Sequence, residues 1–483
     1  MGLPALRRRD GGSPALLDSA GAADLARQLD LLLSSGRPAR ARGPLGFGSG
    51  FDLEALDATP ATDAEIWFSS TSPVGPGRHA RAAALDALAA LAGASGEPLP
   101  LSLWFNSLRA RLADAIGVPR AGVLFAPSMA EGRALARFVA ASVLGAPPTE
   151  IYAETEENDD PPDAGKNQIV VALRDRDGAP RDGLDIDAEA LALARAPLAA
   201  GAPLLVHALA MSRTGLEGVS RAAASALRRA APYHVLALLD AGDFRVAPEA
   251  IAAAVADGMM ALVSGSRFVG GPAHCVALLL PRELAEALEA APPRPESDIA
   301  PSRLDVPAGL RNAFAAGFVA NANIGLGLRW SGALAQFESY LAIPAETRSR
   351  VLNDFSSRSR AMAARLEFIE LESRAEGGGD GARDSVLGLF PLDPRGGRCG
   401  RVGAAAIRAG LALPRPGVAG DAVCHIGAAV ATANGAALPL SISAPAICDV
   451  AGRLARGVAF ERAIAPVWRD LGTLFSKWEA LAG

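Results

Sequence analysis

A loop near the middle of the chain carries two serines, an arginine and two glycines directly after a short apolar run. It reads Ser264-Gly265-Ser266-Arg267-Phe268-Val269-Gly270-Gly271-Pro272. The two serines and Arg267 could bind an anionic group such as a phosphate or a carboxylate, and Gly270-Gly271-Pro272 forces a sharp return into the next strand. A guanidinium stays charged in proteins, so Arg267 is no substitute for an amine nucleophile. The alternative is a turn whose arginine points to solvent.

Other apolar runs also end at, or contain, polar side chains. Ser128, Met129 and Ala130 follow the first run, where free N–H groups at a helix start would suit a phosphate, although serine is also a common helix cap. Asp240 follows a buried run and needs a ligand, an N-cap or a salt bridge to offset its desolvation. His207 lies inside an apolar run and could move protons, but a lone histidine there is usually structural.

The arrangement of acidic residues and cysteines does not favour a metal site. The acidic run at residues 154–160 is expected to be a solvated loop rather than a cation site. No CxxC spacing occurs, so we expect neither zinc nor a dense disulfide framework. The four cysteines are far apart in the chain: Cys275, Cys399, Cys424 and Cys448.

The elements that must position these residues alternate between strand and helix. Apolar runs predict strands at 123–126, 168–173, 203–209, 235–239, 260–264 and 276–280. Helical patterns separate some of these runs, as at 129–144, 220–231 and 248–257. This order predicts an α/β fold with a mostly parallel sheet between helices. Ligands of such sheets bind beyond the carboxyl ends of the strands, which is where the polar residues stand.

Composition shifts divide the chain into three parts. Residues 1–64 are expected to form an N-terminal arm with one helix at 20–33. Residues 65–344 are expected to form the large domain, including a connecting helix with Arg329 and Trp330. Residues 345–483 are expected to form a smaller α+β domain.

Charge and hydropathy exclude several classes of partner. The 483-residue chain has a formal net charge of −5, so no general attraction to nucleic acid or anionic lipid is expected. The N-terminal arginines precede Asp10 rather than an apolar segment, and no long apolar run follows. We therefore expect a cytoplasmic protein. Its only lysines are Lys166 and Lys477, and this preference for arginine is typical of a GC-rich bacterial genome.

The order of the segments resembles the fold-type I pyridoxal-phosphate (PLP) dependent, aspartate-aminotransferase-like superfamily, over roughly residues 65–455. Ser128-Met129-Ala130-Glu131 is similar to the family's phosphate-binding turn. Residues 240–245 are similar to the element whose aspartate pairs with the pyridine nitrogen, and residues 265–272 to the loop that carries the cofactor lysine. Ser212-Arg213-Thr214-Gly215-Leu216 matches a further family segment. The resemblance implies a seven-stranded-type sheet in the large domain, a small C-terminal domain and a dimer.

The resemblance also implies which residues would form the site. Arg267, at the lysine position, and His207 would take the catalytic positions. The cofactor-binding positions would be Ser128, Met129, Ala130, Asp240, Ser264 and Ser266.

The chain departs from the family pattern at chemically important positions. Arg267 replaces the Schiff-base lysine, and Met129 replaces a glycine that allows the backbone to approach the phosphate. No arginine stands between Arg415 and Arg453, where a residue binding the substrate carboxylate would be expected. The chain is thus expected to form no ordinary internal aldimine.

Three functions remain open at this level. The first is a pseudoenzyme that acts as a structural or regulatory partner, as a homodimer or paired with an active related subunit, with no cofactor. The second is a lysine-independent aminotransferase-type enzyme that binds PLP or pyridoxamine phosphate non-covalently and acts on an amino or keto acid. There Asp240 would hold the pyridine nitrogen, Arg267 an anionic group, and His207 would move protons. The third is binding of an unrelated small anionic metabolite by Arg267 and Ser128.

Overall fold

The computed structural model describes residues 65–69, 77–93, 99–158, 167–294, 299, 301–315, 317–372, 385–414 and 422–482. The predicted N-terminal arm with its helix at 20–33 lies outside the described residues, as does Lys166. Among the described helices, none combines the length and the hydropathy that crossing a bilayer requires.

Strands and helices alternate through the first part of the described chain. The strands are β1 (Ile66–Phe68), β2 (Gly122–Ala126), β3 (Thr149–Ala153), β4 (Gln168–Val171), β5 (Leu204–Leu209), β6 (Val235–Ala241), β7 (Met260–Ser264), β8 (Val276–Leu280), β9 (Ile369–Leu371), β10 (Val386–Pro391), β11 (Cys424–Ile426), β12 (Val430–Thr432) and β13 (Gly435–Ser441). The helices are α1 (Arg78–Leu91), α2 (Leu101–Ile116), α3 (Met129–Leu144), α4 (Thr155–Asn158), α5 (Gly183–Leu193), α6 (Arg195–Ala199), α7 (Arg221–Ala230), α8 (Pro248–Ala256), α9 (Arg282–Ala290), α10 (Ile324–Leu341), α11 (Ala345–Ala363), α12 (Arg401–Leu411), α13 (Ala444–Ala455) and α14 (Phe460–Ala482).

The large sheet has seven strands in the order β2-β8-β7-β6-β5-β3-β4. All of its neighbouring pairs are parallel except the two that involve β8. This confirms the predicted fold class. Because β2, β7, β6, β5 and β3 run the same way, their carboxyl ends share one edge of the sheet. The residues after those strands therefore meet there.

The sequence did not predict β3, although it lies inside the sheet between β5 and β4. Its Glu150 is almost fully buried and pairs with Arg137 and His207. A charged residue in a short segment argues against a buried strand unless its partners are known. The partners come from a helix and a neighbouring strand, which local pattern does not show.

The connecting helix α10 carries Arg329 and Trp330 as predicted, and both are buried. Trp330 packs near the Phe125 ring at a centroid distance of 5.3 Å and donates its indole N–H to the Val276 carbonyl at 3.3 Å. Because Phe125 lies in β2 and Val276 in β8, the long helix is fixed against one face of the sheet.

The C-terminal part forms a second core around the antiparallel sheet β12-β13-β10-β9. β1 pairs in parallel with β11, so the first described strand lies with this part. Lys477 is buried in α14 and donates to the carbonyls of Leu411, Leu413 and Ala422 at 2.6–2.7 Å. Its ammonium group therefore serves as a structural cap, away from the strand edge of the large sheet.

Candidate functional site

A small cleft opens at the edge where the carboxyl ends of the parallel strands meet. It is lined by residues that follow or end β3, β5, β6 and β7 and by one residue of α3. The lining residues are Arg133, Glu157, Asn158, Leu209, Met211, Arg213, Asp240, Gly242, Asp243 and Arg267. Two of the sequence-predicted site residues, Asp240 and Arg267, are thus brought together.

The helix start that could have bound a phosphate is capped by its own serine, and a carboxylate from the first turn binds that serine. Ser128 is the N-cap of α3, and its hydroxyl accepts the Glu131 backbone N–H at 3.2 Å. The same hydroxyl donates to Glu131 Oε2 at 2.9 Å. A carboxylate in the first turn also suits the positive end of the helix dipole. Ala130 is exposed, and neither Ser128 nor Ala130 lines the cleft.

Asp240 is held by a buried arginine from α3. Arg133 donates to Asp240 Oδ2 through Nη2 at 2.7 Å and Nε at 3.0 Å. Arg133 also donates to Asn158 Oδ1 at 2.5 Å, and Asp240 Oδ1 accepts the Gly242 N–H at 3.1 Å. The side chains of Arg133 and Asp240 are only 9% and 3% exposed. Of the alternatives open for Asp240, the structure has a salt bridge.

Met129 fills the space beside this pair. A Cβ atom at Gly242 would lie 2.5 Å from the terminal methyl of Met129, so the methionine packs directly onto the glycine backbone. Met129 is itself buried. A larger residue at Gly242 would require the Met129 side chain to move, and Met129 occupies volume next to Asp240 rather than lining the cleft.

Arg267, at the position where the resemblance places a lysine, pairs with Asp243. Its Nη1 donates to Asp243 Oδ1 at 3.0 Å, and the two side chains are 15% and 4% exposed. Asp243 is directed there by a tight turn after β6, in which Phe244 has a φ of +54°. The Phe244 ring packs edge-on against Phe337 at 4.1 Å, which fixes the turn against α10. Arg267 therefore does not simply point to solvent.

The remainder of the loop is shaped by packing. Gly270 has a φ of +74°, and a Cβ there would come within 2.4 Å of Pro445. A Cβ at Gly271 would come within 2.6 Å of Ala333 in α10. Ser264 and Ser266 are buried and bond to each other at 2.9 Å. Close packing at both positions, together with the positive φ of Gly270, thus accounts for the two glycines.

His207 does not reach the cleft. It lies in β5 two residues before Leu209, which does line the cleft, so it is one pleat repeat, about 7 Å, deeper in the sheet. Its Nε2 pairs with Glu150 Oε2 at 3.1 Å. Burial by itself would raise the pKa of Glu150, but hydrogen bonding and charge attraction from His207 and Arg137 outweigh it and lower that pKa to about 2. The proton-moving role suggested for His207 is not supported by this position.

The acidic run after β3 is not a solvated loop over its described part. Glu157 is 1% exposed and lies in the short helix α4. It accepts hydrogen bonds from Ser212 at 2.7 Å, from the Thr214 hydroxyl at 2.8 Å and from Arg174 at 2.7 Å. Arg174 also pairs with Glu372 of the C-terminal part at 2.6 Å. The expectation failed because the partners of Glu157 come from distant segments.

The cleft is narrow. The centre of a water molecule has about 10 Å³ in which to move, roughly the space that one ordered water needs. Three arginines and three acidic residues line it, Arg133, Arg213, Arg267, Glu157, Asp240 and Asp243. Their formal charges balance, so the cleft as a whole carries no net attraction for an anion.

Sequence reasoning missed Arg133, Glu131 and Asn158. A signal for Arg133 was available, because a buried aspartate at a strand end demands a cation and α3 starts at the neighbouring edge. Identifying the residue required the helix register relative to β6. Among the described residues, no cluster of three or more histidine, cysteine, aspartate or glutamate side chains is arranged to hold a metal ion.

Comparison with known proteins identifies the fold. No protein-family model and no curated protein sequence matches the chain. A cysteine desulfurase from Escherichia coli is similar in structure with a TM-score of 0.54 and 12% identity, over 87% of this chain and 96% of that one. Tryptophan decarboxylase from Catharanthus roseus has a TM-score of 0.53 and 11% identity, over 90% and 96%.

A third similar structure contains PLP. It is an amine transaminase from an uncultivated Pseudomonas species in its PLP-bound internal aldimine form, with a TM-score of 0.50 and 14% identity, over 84% of this chain and 87% of that one. The structural neighbours are fold-type I PLP-dependent enzymes, which confirms the predicted fold. At these identities the likeness establishes the fold alone.

Proposed function

We propose that this protein uses the fold of PLP-dependent enzymes without their chemistry, as a structural or regulatory subunit. One observation carries the proposal. Each of the three positions that would contact the cofactor is bonded to a side chain of this chain: Ser128 to Glu131, Asp240 to Arg133, and Arg267 to Asp243. One internal hydrogen bond and two internal ion pairs thus take the places of contacts to a phosphate, a pyridine nitrogen and a Schiff base.

The residues present do not fit PLP or pyridoxamine phosphate. A pyridine ring with its phosphate is many times larger than the single water for which the cleft has space. Binding would have to displace Arg133 from Asp240, and separating a buried ion pair typically costs about 3–5 kcal/mol. The phosphate would also meet the Glu131 carboxylate at the helix start. No reaction step is therefore assigned to the cofactor here.

A partner role agrees with how firmly the two parts of the chain are joined. Arg245 is fully buried, donates to Ser385 Oγ and to the Ile442 carbonyl at 2.6 Å each, and packs over the Phe268 ring at 4.5 Å. Burial lowers the pKa of Arg245 to about 10. In an active member of this fold the small domain is expected to close over substrate, whereas here it is tied to the large domain. Whether the chain pairs with its own copy or with a related subunit stays a prediction of the resemblance.

The proposal is tested by reducing the full-length protein with borohydride in the presence of PLP. We expect no imine absorbance and no phosphopyridoxyl mass increase on any described residue, because Arg267 forms no imine and Lys477 is buried with its ammonium bonded to three carbonyls. A stoichiometric, saturable adduct that peptide mapping places on a described residue would contradict the proposal.

A second candidate function is supported by the position of Asp240, which lines the cleft together with Arg267 and Arg213. In this candidate the protein binds pyridoxamine phosphate or a preformed external aldimine without a lysine, and acts as an aminotransferase-type enzyme on an amino or keto acid. It requires Arg133 to leave Asp240. It predicts saturable binding of pyridoxamine phosphate that is lost in Asp240→Asn.

A further inference from the structure

Of the asparagines in the chain, only Asn434 is followed by a glycine, Gly435. This step lies at the tip of a tight hairpin, in which Thr432 at the end of β12 pairs with Gly435 at the start of β13. Asn434 is exposed. It does not line the charged cleft, so its chemistry does not depend on whether the cleft binds a cofactor.

An asparagine side chain can react with the backbone of the residue that follows it. The next backbone nitrogen loses its proton and attacks the side-chain carbon Cγ, an N–C bond closes a five-membered succinimide ring, and the Cγ–Nδ2 bond breaks with release of ammonia. Water then opens the ring to aspartate or isoaspartate, so the reaction consumes only water. A side chain on the following residue hinders the attack, and glycine has none.

Packing retains the glycine in this step. Gly435 has a φ of +131°, and a Cβ atom there would lie 2.7 Å from the Cβ of Arg398. Another residue would be strained in this conformation and would collide with its neighbour. The hairpin therefore combines an exposed asparagine with the one following residue that leaves the attacking nitrogen unobstructed.

The Asn434 side chain also joins the C-terminal part of the chain to the large domain. Its Nδ2 donates to the Asp177 backbone carbonyl at 2.6 Å. Asp177 lies in a turn that follows β4, and the next residue, Gly178, is buried against the hairpin, where a Cβ would come within 3.2 Å of the Ala433 nitrogen. The contact needs the N–H of an amide, because an ionised carboxylate only accepts hydrogen bonds.

The same turn supports the buried link between the two parts. Arg174 donates to the Gly178 carbonyl at 3.0 Å and to Glu372 of the C-terminal part at 2.6 Å. The turn that Asn434 contacts at Asp177 is therefore also one of the groups that hold Arg174 in place.

We propose that Asn434 is a self-modification site, where deamidation through a succinimide with Gly435 loosens the contact between the hairpin and the turn at residues 175–178. The aspartate product has no donor at neutral pH for the Asp177 carbonyl. The isoaspartate product also adds one carbon atom to the backbone of the hairpin turn, which disturbs the pairing of Thr432 with Gly435. The modification thus weakens one of the contacts that join the two parts of the chain.

The reaction is tested by incubating the full-length protein at 37 °C, at pH 6.5 and at pH 8.5, and mapping its peptides by a method that separates aspartate from isoaspartate. Asn353 is the internal control, because it is also exposed but precedes Asp354 within α11. We expect Asn434 to be converted, faster at pH 8.5 because the attacking nitrogen must lose its proton. Asn353 should react at least about tenfold more slowly, because a side chain and the helical backbone hinder the attack. No conversion of Asn434, or equal rates at the two positions, overturns the proposal.

Hydrogen exchange measures the consequence for the turn. Asn434→Asp copies the aspartate product and should raise the amide exchange rates of residues 175–179 by about two- to tenfold, as expected for the loss of one hydrogen bond. Asn353→Asp makes the same chemical change on an exposed helix position and should leave these rates unchanged. Unchanged exchange of the turn in Asn434→Asp would overturn the proposed loosening. If Asn434→Asp folds poorly, the same comparison is made between fresh and incubated wild-type protein.

Discussion

The contact between Arg267 and Asp243 is central to the proposed function, because the resemblance places a cofactor lysine at position 267. The contact is short, at 3.0 Å, and both side chains are largely buried. Lysine in this position would have to lose its proton before it could attack an aldehyde, and a neighbouring carboxylate favours the charged ammonium. The environment around position 267, and not only the residue itself, is therefore unsuited to Schiff-base chemistry.

This predicts the outcome of restoring the amine. Arg267→Lys should show no saturable imine absorbance with PLP, because Asp243 keeps the ammonium protonated and Arg133 still occupies Asp240. Absorbance titration checks it, with the exposed Arg221→Lys as a control for non-specific imines. A one-to-one imine in Arg267→Lys that the control lacks would show that the cleft can still admit the cofactor.

The Arg133–Asp240 pair is predicted to be energetically coupled. Asp240→Asn or Arg133→Met alone leaves a buried charge without its partner and should lower the free energy of unfolding by about 3–5 kcal/mol. The double variant should lower the free energy of unfolding by about 0.5–3 kcal/mol less than the sum of the two single-variant losses.

Urea unfolding of the four proteins measures this coupling. The exposed Arg111–Glu338 pair is the matched control, and it should couple by about 1 kcal/mol or less. Additive losses at Arg133 and Asp240 would mean that the salt bridge does not hold the site together.

At the residue scale, the sequence showed that Asp240 needs a partner, but it did not show which residue is that partner. Asp240 was expected to need a partner, and Arg267 was recognised as the wrong residue for an aldimine. Arg133 and Asp243 could not be assigned as partners, because each pairing depends on how a helix or a turn is oriented against a strand. That orientation is set by tertiary packing, not by local sequence. Glu131 was missed although its contact with Ser128 is local, since Ser-x-x-Glu at a helix start is a capping pattern that the sequence shows.

At the scale of elements, His207, a candidate for proton transfer, belongs to a buried cluster of charged side chains at the sheet. Strand β3, strand β5 and helix α3 meet at Glu150, His207 and Arg137. This cluster explains why His207 stands within an apolar run, and why a strand could contain Glu150. Helix α3 contributes to two sites. It supplies Arg137 to this cluster, and it supplies Arg133 and Met129 to the contacts around Asp240 and Gly242.

The cluster predicts a pH dependence of stability. Since the folded pKa of Glu150 is about 2, below its ordinary value of 4.5, its contribution is fully present above pH 4.5 and is lost as the pH falls toward 2. Glu150→Gln should therefore destabilise the protein at pH 7 by a few kcal/mol, and this penalty should shrink by pH 3.

Urea unfolding at pH 7, 5 and 3 checks the prediction, with Glu286→Gln on exposed helix α9 as the control that shows no such trend. A Glu150→Gln penalty that stays constant from pH 7 to pH 3 would contradict the assignment of the ion pair.

Most elements were predictable because they follow simple rules. Strands β7 and β8 and helix α3 have the predicted bounds, and β2, β5 and β6 differ from prediction by one or two residues. Each is a continuous apolar run or begins at a helix-capping serine. β3 was missed because its buried charge breaks that rule.

At the scale of the whole molecule, the fold of PLP-dependent enzymes is combined with a cleft whose formal charges balance. The seven-stranded sheet, the connecting helix and the C-terminal sheet follow the fold-type I pattern. Arg174 links Glu157 of the large sheet's edge to Glu372 of the C-terminal part. Burial would lower the pKa of Arg174, but these two carboxylates outweigh it and raise it. Buried charges next to the cleft thus link the large sheet to the C-terminal part.

The most direct test of this account is calorimetric titration of the full-length protein with pyridoxamine phosphate, which needs no lysine to bind. The account predicts no saturable binding up to millimolar ligand, because Arg133 is paired with Asp240, the cleft has space for about one water, and the Glu131 carboxylate lies at the helix start where the phosphate would bind. Stoichiometric binding that disappears in Asp240→Asn would contradict it, and would show that the cleft opens to a cofactor after all.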